Sequence, residues 1–204
     1  MKVYKLTDQD GYTRRGEKGE TKWGEGVTHE AVGEGAKLCT SGVIHYYDDP
    51  ALALFVCLVH ANFANPLVWE AEIQESVARD GLKGGAKRLT TLHVIDTPKP
   101  TSEQCVAFGI LCSLEVSQHE GFRQWARCWL DGSDRSYKSA VEMASTVASA
   151  AAMVAAEAAM WLAEARGERT LKVIRAAAAA VVLTMAVKKT INFPAIARKA
   201  MEVI

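Results

Sequence analysis

The sequence predicts an α+β protein in two parts. A small, mostly-β domain with one buried helix spans residues 1–97, and an all-α domain spans residues 101–204. Three observations carry this. Before residue 97, short runs alternate apolar and polar residues with the two-residue period of strands. Thr97-Pro98-Lys99-Pro100 is a stiff connector in which two prolines discourage helix and strand alike. Beyond it the chain turns Ala-rich, with apolar residues at helical spacing.

In chain order, residues 1–6 alternate Val3 and Tyr4 with Lys2 and Lys5 and predict a first edge strand, followed by a turn at Asp8-Gln9-Asp10-Gly11. Residues 14–35 carry six glycines among charges and predict a loop, or short strands around one, that presents Trp23 and His29. Val43 to Tyr47 reads as a buried strand rich in β-branched and aromatic residues. Asp48-Asp49-Pro50 is a helix start: Asp49 caps the free N–H groups and Pro50 takes the first turn. Ala51 to His60 is apolar almost all round, a buried helix that must stop before Asn65-Pro66. Leu67 to Ile73 alternates as a half-buried strand, and Leu89 to Ile95 is the next one. Between them Gly81-Leu82-Lys83-Gly84-Gly85-Ala86-Lys87-Arg88 predicts a basic, glycine-rich loop.

In the second part, Thr101-Ser102-Glu103-Gln104 forms a capping box, opening a helix to about Gln118. Phe122, Trp125, Trp129 and Leu130 mark a short second helix, stopped by Asp131-Gly132-Ser133-Asp134. One long helix is expected from Arg135 to Ala165 and a second from about Glu168 to Thr190, turned at Arg166-Gly167-Glu168, as an antiparallel hairpin. Asn192 and Pro194 open a last helix. The seam Val141, Ala144, Ala148, Ala151, Ala155, Ala158, Leu162 and Ala165 lets helix axes approach closely, within the chain, against a second copy in a homo-oligomer, or against a partner.

Net charge is zero, with 24 basic and 24 acidic residues. Residues 1–100 carry 12 basic and 14 acidic, and residues 101–204 carry 12 and 10. Neither half has the basic excess that nonspecific nucleic-acid binding requires. The five cysteines, an odd number, read as reduced thiols of a cytoplasmic protein. The longest uncharged apolar run, Ala176 to Val187, falls short of the roughly 20 residues that span a bilayer.

The series Leu38-Cys39-x-Ser41-Gly42-x-x-His45-x-Tyr47-x-Asp49-Pro50, Leu67-x-Trp69-x-Ala71-x-Ile73, Asp80-Gly81-x-Lys83 and Leu89-Thr90-x-Leu92 resembles a small domain of unknown function common in bacteriophage and prophage proteins. The stretch from Trp125 to Ser136 is similar to segments that follow that domain. The resemblance implies a phage protein acting in the host cytoplasm. The expectation that follows is a non-enzymatic accessory protein that binds and inhibits a host protein complex, in the manner of an anti-CRISPR or other anti-defence inhibitor. Trp125, Trp129 and Arg135 are its candidate interface residues.

Two alternatives come from the residues themselves. A small-ligand binder, for instance of a nucleotide signal, would use Trp23, His29, His45, Lys83, Lys87 and Arg88, where the basic loop could offer N–H groups and cations to phosphate. That loop lacks the spacing of a phosphate-binding P-loop. An enzyme of nucleotide or ADP-ribosyl chemistry would need His45, Tyr47 and a glutamate in one cleft. His29, Cys39, His45 and His60 are all zinc-capable types, but their spacing fits no compact zinc motif, so neither a metal nor a cofactor is expected. Glu70, Glu72 and His93 could pair across two strands as an acid–base set; a charged outer sheet face explains them as well. No serine or cysteine triad order is present.

Overall fold

The computed structural model describes residues 1–165, 171–187 and 189–204. The chain divides into two compact units, Met1–Lys99 and Pro100–Ile204.

In the first unit the strands are β1 (Lys2–Thr7), β2 (Tyr12–Thr13), β3 (Thr21–Lys22), β4 (Thr28–Glu30) and β5 (Ile44–Tyr46), before helix α1 (Pro50–His60). After it come β6 (Leu67–Ile73), β7 (Ala78–Arg79), β8 (Gly84–Ala86) and β9 (Arg88–Ile95). A four-stranded antiparallel sheet runs β1-β6-β9-β4 and a three-stranded one runs β5-β8-β7. The free edge of β1 meets the end of β5 through a two-bond bridge: Tyr4 and Tyr47 each donate an N–H to the other's carbonyl at 2.8 Å. Val3, Trp23, Tyr46, Ala71, Ile73, Ala86 and Leu89 form the core between these strands.

Helix α1 starts as its sequence dictates. Asp49 Oδ1 accepts the N–H groups of Ala51 and Leu52 at 2.9 and 3.1 Å, and Pro50 occupies the first turn. The glycine-rich stretch after β3 is held by Thr91 of β9. The Thr91 hydroxyl donates to the Gly24 carbonyl at 2.6 Å, and its backbone pairs with Gly26 and Val27. This fixes Trp23 and His29 in place.

The basic loop differs from expectation. Gly84 to Ala86 is a buried strand between β5 and β7, so its backbone groups serve the sheet. Asp80 Oδ1 takes the N–H groups of Leu82 and Lys83 at 3.0 and 2.9 Å. No cradle of free N–H groups remains for an anion among these residues. The glycines are there for packing, since a Cβ on Gly84 would fall inside the Tyr46 ring.

In the second unit the helices are α2 (Ser102–Val116), α3 (Glu120–Leu130), α4 (Tyr137–Thr146), α5 (Ala150–Glu164), α6 (Leu171–Thr184) and α7 (Phe193–Met201). The capping box forms, with Thr101 N–H to Gln104 Oε1 at 2.9 Å and Gln104 N–H to Thr101 Oγ1 at 3.1 Å. Helix α2 is central and packs against α5, α6 and α7. Gly109 allows the closest approach, because a Cβ there would lie 3.0 Å from the Ala177 carbonyl. Ser113 donates to Gly109 at 2.8 Å and lies 3.0 Å from the Ala151 carbonyl.

The single long helix expected from Arg135 to Ala165 is two helices, α4 and α5, packed on each other. Ser145 and Thr146 hydroxyls bond back to the carbonyls of Val141, Glu142 and Met143, competing with the helix ladder. Val147 then leaves helical geometry and turns inward. Of the expected seam, Ala151, Ala155, Ala158 and Leu162 are buried, where α5 packs on α6, whereas Val141, Ala144 and Ala165 are half-buried and Ala148 is exposed. The turn expected at Arg166-Gly167-Glu168 lies outside the described residues. Asn192 caps α7 through Ala195 N–H at 3.1 Å.

Candidate functional site

One cleft in the first unit, of about 1040 Å³, gathers side chains from β1, the β2–β3 hairpin, β4, the loop before β5, β5, the end of α1 and the turn before β8. Four of the six expected ligand residues line it: Trp23, His29, His45 and Lys83. Lys87 and Arg88 do not. The Lys87 ammonium is held by the carbonyls of Gly35 and Gly42, the latter at 2.7 Å, and Arg88 lies 3.8 Å from Glu30 on the neighbouring strand.

Trp23 is buried and floors the cleft, with its Nε1–H donated to Thr13 Oγ1 at 3.1 Å. His29 meets it edge-on at 4.6 Å between ring centroids, and its Nε2 lies 2.8 Å from the Lys22 carbonyl, which requires a proton on Nε2. His45 has the opposite tautomer. Its Nε2 accepts the Cys39 backbone N–H at 2.9 Å, so that nitrogen must carry a lone pair. Burial pushes the His45 pKa down to about 4, and the charges of Lys83, Lys5, His60 and Arg14 push the same way. Tyr47 and His60 stack with centroids 6.1 Å apart, Tyr47 Oη lying 3.5 Å from His60 Nδ1. Burial lowers His60 to about 4 and raises the Tyr47 hydroxyl.

Sequence reading missed Lys5 and Arg14 as cleft residues; Cys39, weighed there only as a zinc-capable side chain with His29, His45 and His60, lines the cleft with all three. Lys5 is only 8 % exposed, with its ammonium 3.0 Å from the His45 carbonyl and 5.0 Å from the centre of the Trp23 ring. Burial, then repulsion from Arg14, brings its pKa down to about 8. The signal was available: in a strand of period two, Lys5 shares its face with Val3, a core residue. Cys39 is exposed in a left-handed backbone conformation (φ 63°), and Lys83 Nζ lies 3.2 Å from its sulfur.

Among the described residues, no three of the metal-capable side chains come together as a ligand set. Glu70, on the sheet's outer face, pairs with Lys2 at 2.5 Å, and Glu72 and His93 are exposed. Of the three interface candidates in the second unit, the two tryptophans are buried and Arg135 is half-buried. Trp129 and Trp125 are 1 % and 6 % exposed, so neither is presented as an anchor. Arg135 stacks on Trp129 at 4.8 Å and donates to the carbonyls of Trp129 and Ile204, each at 3.0 Å, pinning the last residue of the chain. Among the described residues, no helix is long and apolar enough to cross a membrane.

No family model, no curated protein and no solved structure matches the chain. The functional reading therefore rests on the cleft.

Proposed function

We propose that the first unit is a binding module for a small, anionic ligand of the nucleotide class, carried by a phage accessory protein. The observation that supports this is the convergence of Trp23, His29, His45 and Lys83 from separate segments on one cleft of about 1040 Å³. That volume suits a nucleotide-sized molecule. Aromatic and imidazole rings and lysines in one cleft suit a ligand with a flat ring and a negative charge. The docking of a host complex has less support, because Trp125, Trp129 and half of the expected seam are buried.

The test is thermal unfolding and calorimetric titration of the intact protein with a panel of mono-, di- and cyclic nucleotides, with the nucleosides as controls. A stabilisation of several degrees by a nucleotide and none by its nucleoside is expected. Flat titrations across the panel would overturn the reading.

An enzymatic variant has one specific point in its favour. His45 and Tyr47 line the same cleft as Glu17, Glu20 and Glu30. Chromatography of a nicotinamide dinucleotide incubated with the protein separates the two: an unchanged dinucleotide marks a binder, and released nicotinamide an enzyme.

A further inference from the structure

The charges around the cleft are sorted. Away from His45, Arg15 has carboxylate partners, and Lys22 and Glu20 are met by backbone groups on exposed segments. Arg15 pairs with Asp10 at 2.5 Å and with Asp8 at 3.5 Å, and Lys22 donates to the Asp10 carbonyl and lies over the Tyr12 ring at 4.3 Å. Asp8 also takes the N–H groups of Asp10 and Tyr12, and Glu20 takes that of Gly16 at 2.6 Å.

Around His45 the pattern changes. Lys5, Lys83 and Arg14 line the cleft together with His45, Lys5 buried, Lys83 half-buried and Arg14 exposed, and none of the three forms an ion pair with a carboxylate among the described residues. Lys5 is buried, and among the described residues its ammonium meets a carbonyl oxygen and an aromatic face. Lys83 spends its ammonium on a sulfur, a weak acceptor. Arg14 is held at φ 54°, a left-handed conformation that residues with a side chain rarely adopt. A buried cation without a counter-charge costs folding free energy, and such a cost persists where a ligand supplies the missing charge.

Resting on the reading above, we infer that this part of the cleft is a phosphate subsite. Lys5, Lys83 and Arg14 hold a phosphoryl dianion beside His45, with Lys83 exchanging the Cys39 sulfur for a phosphate oxygen. Lysine and arginine donors converging from three segments match the several acceptor oxygens of a phosphoryl group better than one planar carboxylate. The cleft continues from this subsite to Trp23 and His29, which leaves room for an organic body on the ligand.

Cys39 provides the readout. It is exposed, whereas Cys57, Cys105 and Cys112 are buried and Cys128 is partly so. The intact protein is alkylated with iodoacetamide, with and without inorganic pyrophosphate, and Cys39 and Cys128 are followed by peptide mass spectrometry. Pyrophosphate is expected to slow alkylation of Cys39 at least threefold and to leave Cys128 unchanged. Lys5→Met and Lys83→Met, each checked for folding by circular dichroism, are expected to remove that protection, and Lys18→Met on the exposed hairpin to retain it.

Protection that survives both cleft substitutions, or no protection at all, overturns the subsite. If nucleotides bind and Lys5→Met leaves their affinity unchanged, the subsite fails while the binding module stands. If pyrophosphate protects Cys39 and no nucleotide binds, the subsite stands and the nucleotide class is wrong.

Discussion

The Lys5 ammonium donates to the His45 carbonyl oxygen at 3.0 Å, tying β1 to β5 from inside the cleft. One residue before and two after, Tyr4 and Tyr47 bridge the same two strands through their backbones. The buried cation is thus set in place by strand pairing, and a ligand meets it already positioned. Preorganisation of this kind lowers the ordering cost of binding.

That position costs stability. A lysine whose pKa falls from 10.5 to about 8 pays roughly 3 kcal/mol to stay charged in its site. Lys5→Met keeps the stem and removes the charge, at the loss of one hydrogen bond worth about 1 kcal/mol. Lys5→Met is therefore expected to leave unfolding free energy at pH 7 unchanged or to raise it by about 1–2 kcal/mol, while ligand binding is lost. Denaturant melts of the two proteins decide it. A drop of more than about 1 kcal/mol would make Lys5 a structural residue.

Acid should loosen the first unit through His45 and His60. Both rings sit near pKa 4 in the folded protein, against 6.5 in an unfolded chain. Between those values the unfolded state binds more protons, so stability rises with pH across the window and is lost as pH falls from about 6.5 to about 4. Both rings are half-buried, so solvent screening brings the loss to about 1–2 kcal/mol for each. Melting the protein at steps from pH 7.5 to 4.5 measures it, and the double variant His45→Gln, His60→Gln should show a flatter profile.

Much of this architecture could be read from residue patterns, where local chemistry decides the outcome. Asp49-Pro50 and Thr101-x-x-Gln104 open helices because cap side chains act within three residues. The break after Thr146 was harder to see, since alanine-rich flanks outweigh a short Ser-Thr-Val run in any local count. The basic loop misled for a similar reason. Gly84 and Gly85 resemble a flexible turn until Tyr46 is found packed on the first and Val43 and Leu38 on the second, some forty residues away. In the cleft, Trp23, His29, His45 and Lys83 were legible as unusual residues, but Lys5 looked like an ordinary charge on an edge strand. A residue's neighbours across strands, and not its own identity, make it a site.

The Tyr46 contact gives a sharp packing test. A Cβ on Gly84 would overlap the Tyr46 ring, which is fully buried between β5 and β8. Gly84→Ala is expected to destabilise the first unit by about 2–3 kcal/mol, the upper range for overpacking a core. The same change at Gly16, where nothing lies within 4 Å, meets only its positive φ and should cost about 1 kcal/mol. Equal effects in thermal melts would mean that Tyr46 moves aside freely.

Binding itself should carry the signature of Lys5. The titratable and charged groups that line the cleft with Lys5 are Lys83, Arg14, Arg15, Lys22, His29, His45, His60, Cys39, Tyr47 and the carboxylates Asp8, Glu17, Glu20 and Glu30, and Asp80 acts on His60. Burial brings the Lys5 pKa to about 8, so between pH 7 and 9 it passes from mostly charged to mostly neutral while the ligand stays anionic. Pyrophosphate affinity is expected to fall about tenfold over that interval, the equivalent of about 1.4 kcal/mol. His45 and His60 are neutral throughout and contribute nothing to the slope. Lys5→Arg, which holds its charge at every pH tested, should flatten the profile. Calorimetric titrations at half-unit steps make the comparison. A wild-type profile that stays flat to pH 9 would place the phosphate away from Lys5, leaving Lys83 and Arg14 to hold it without the buried lysine.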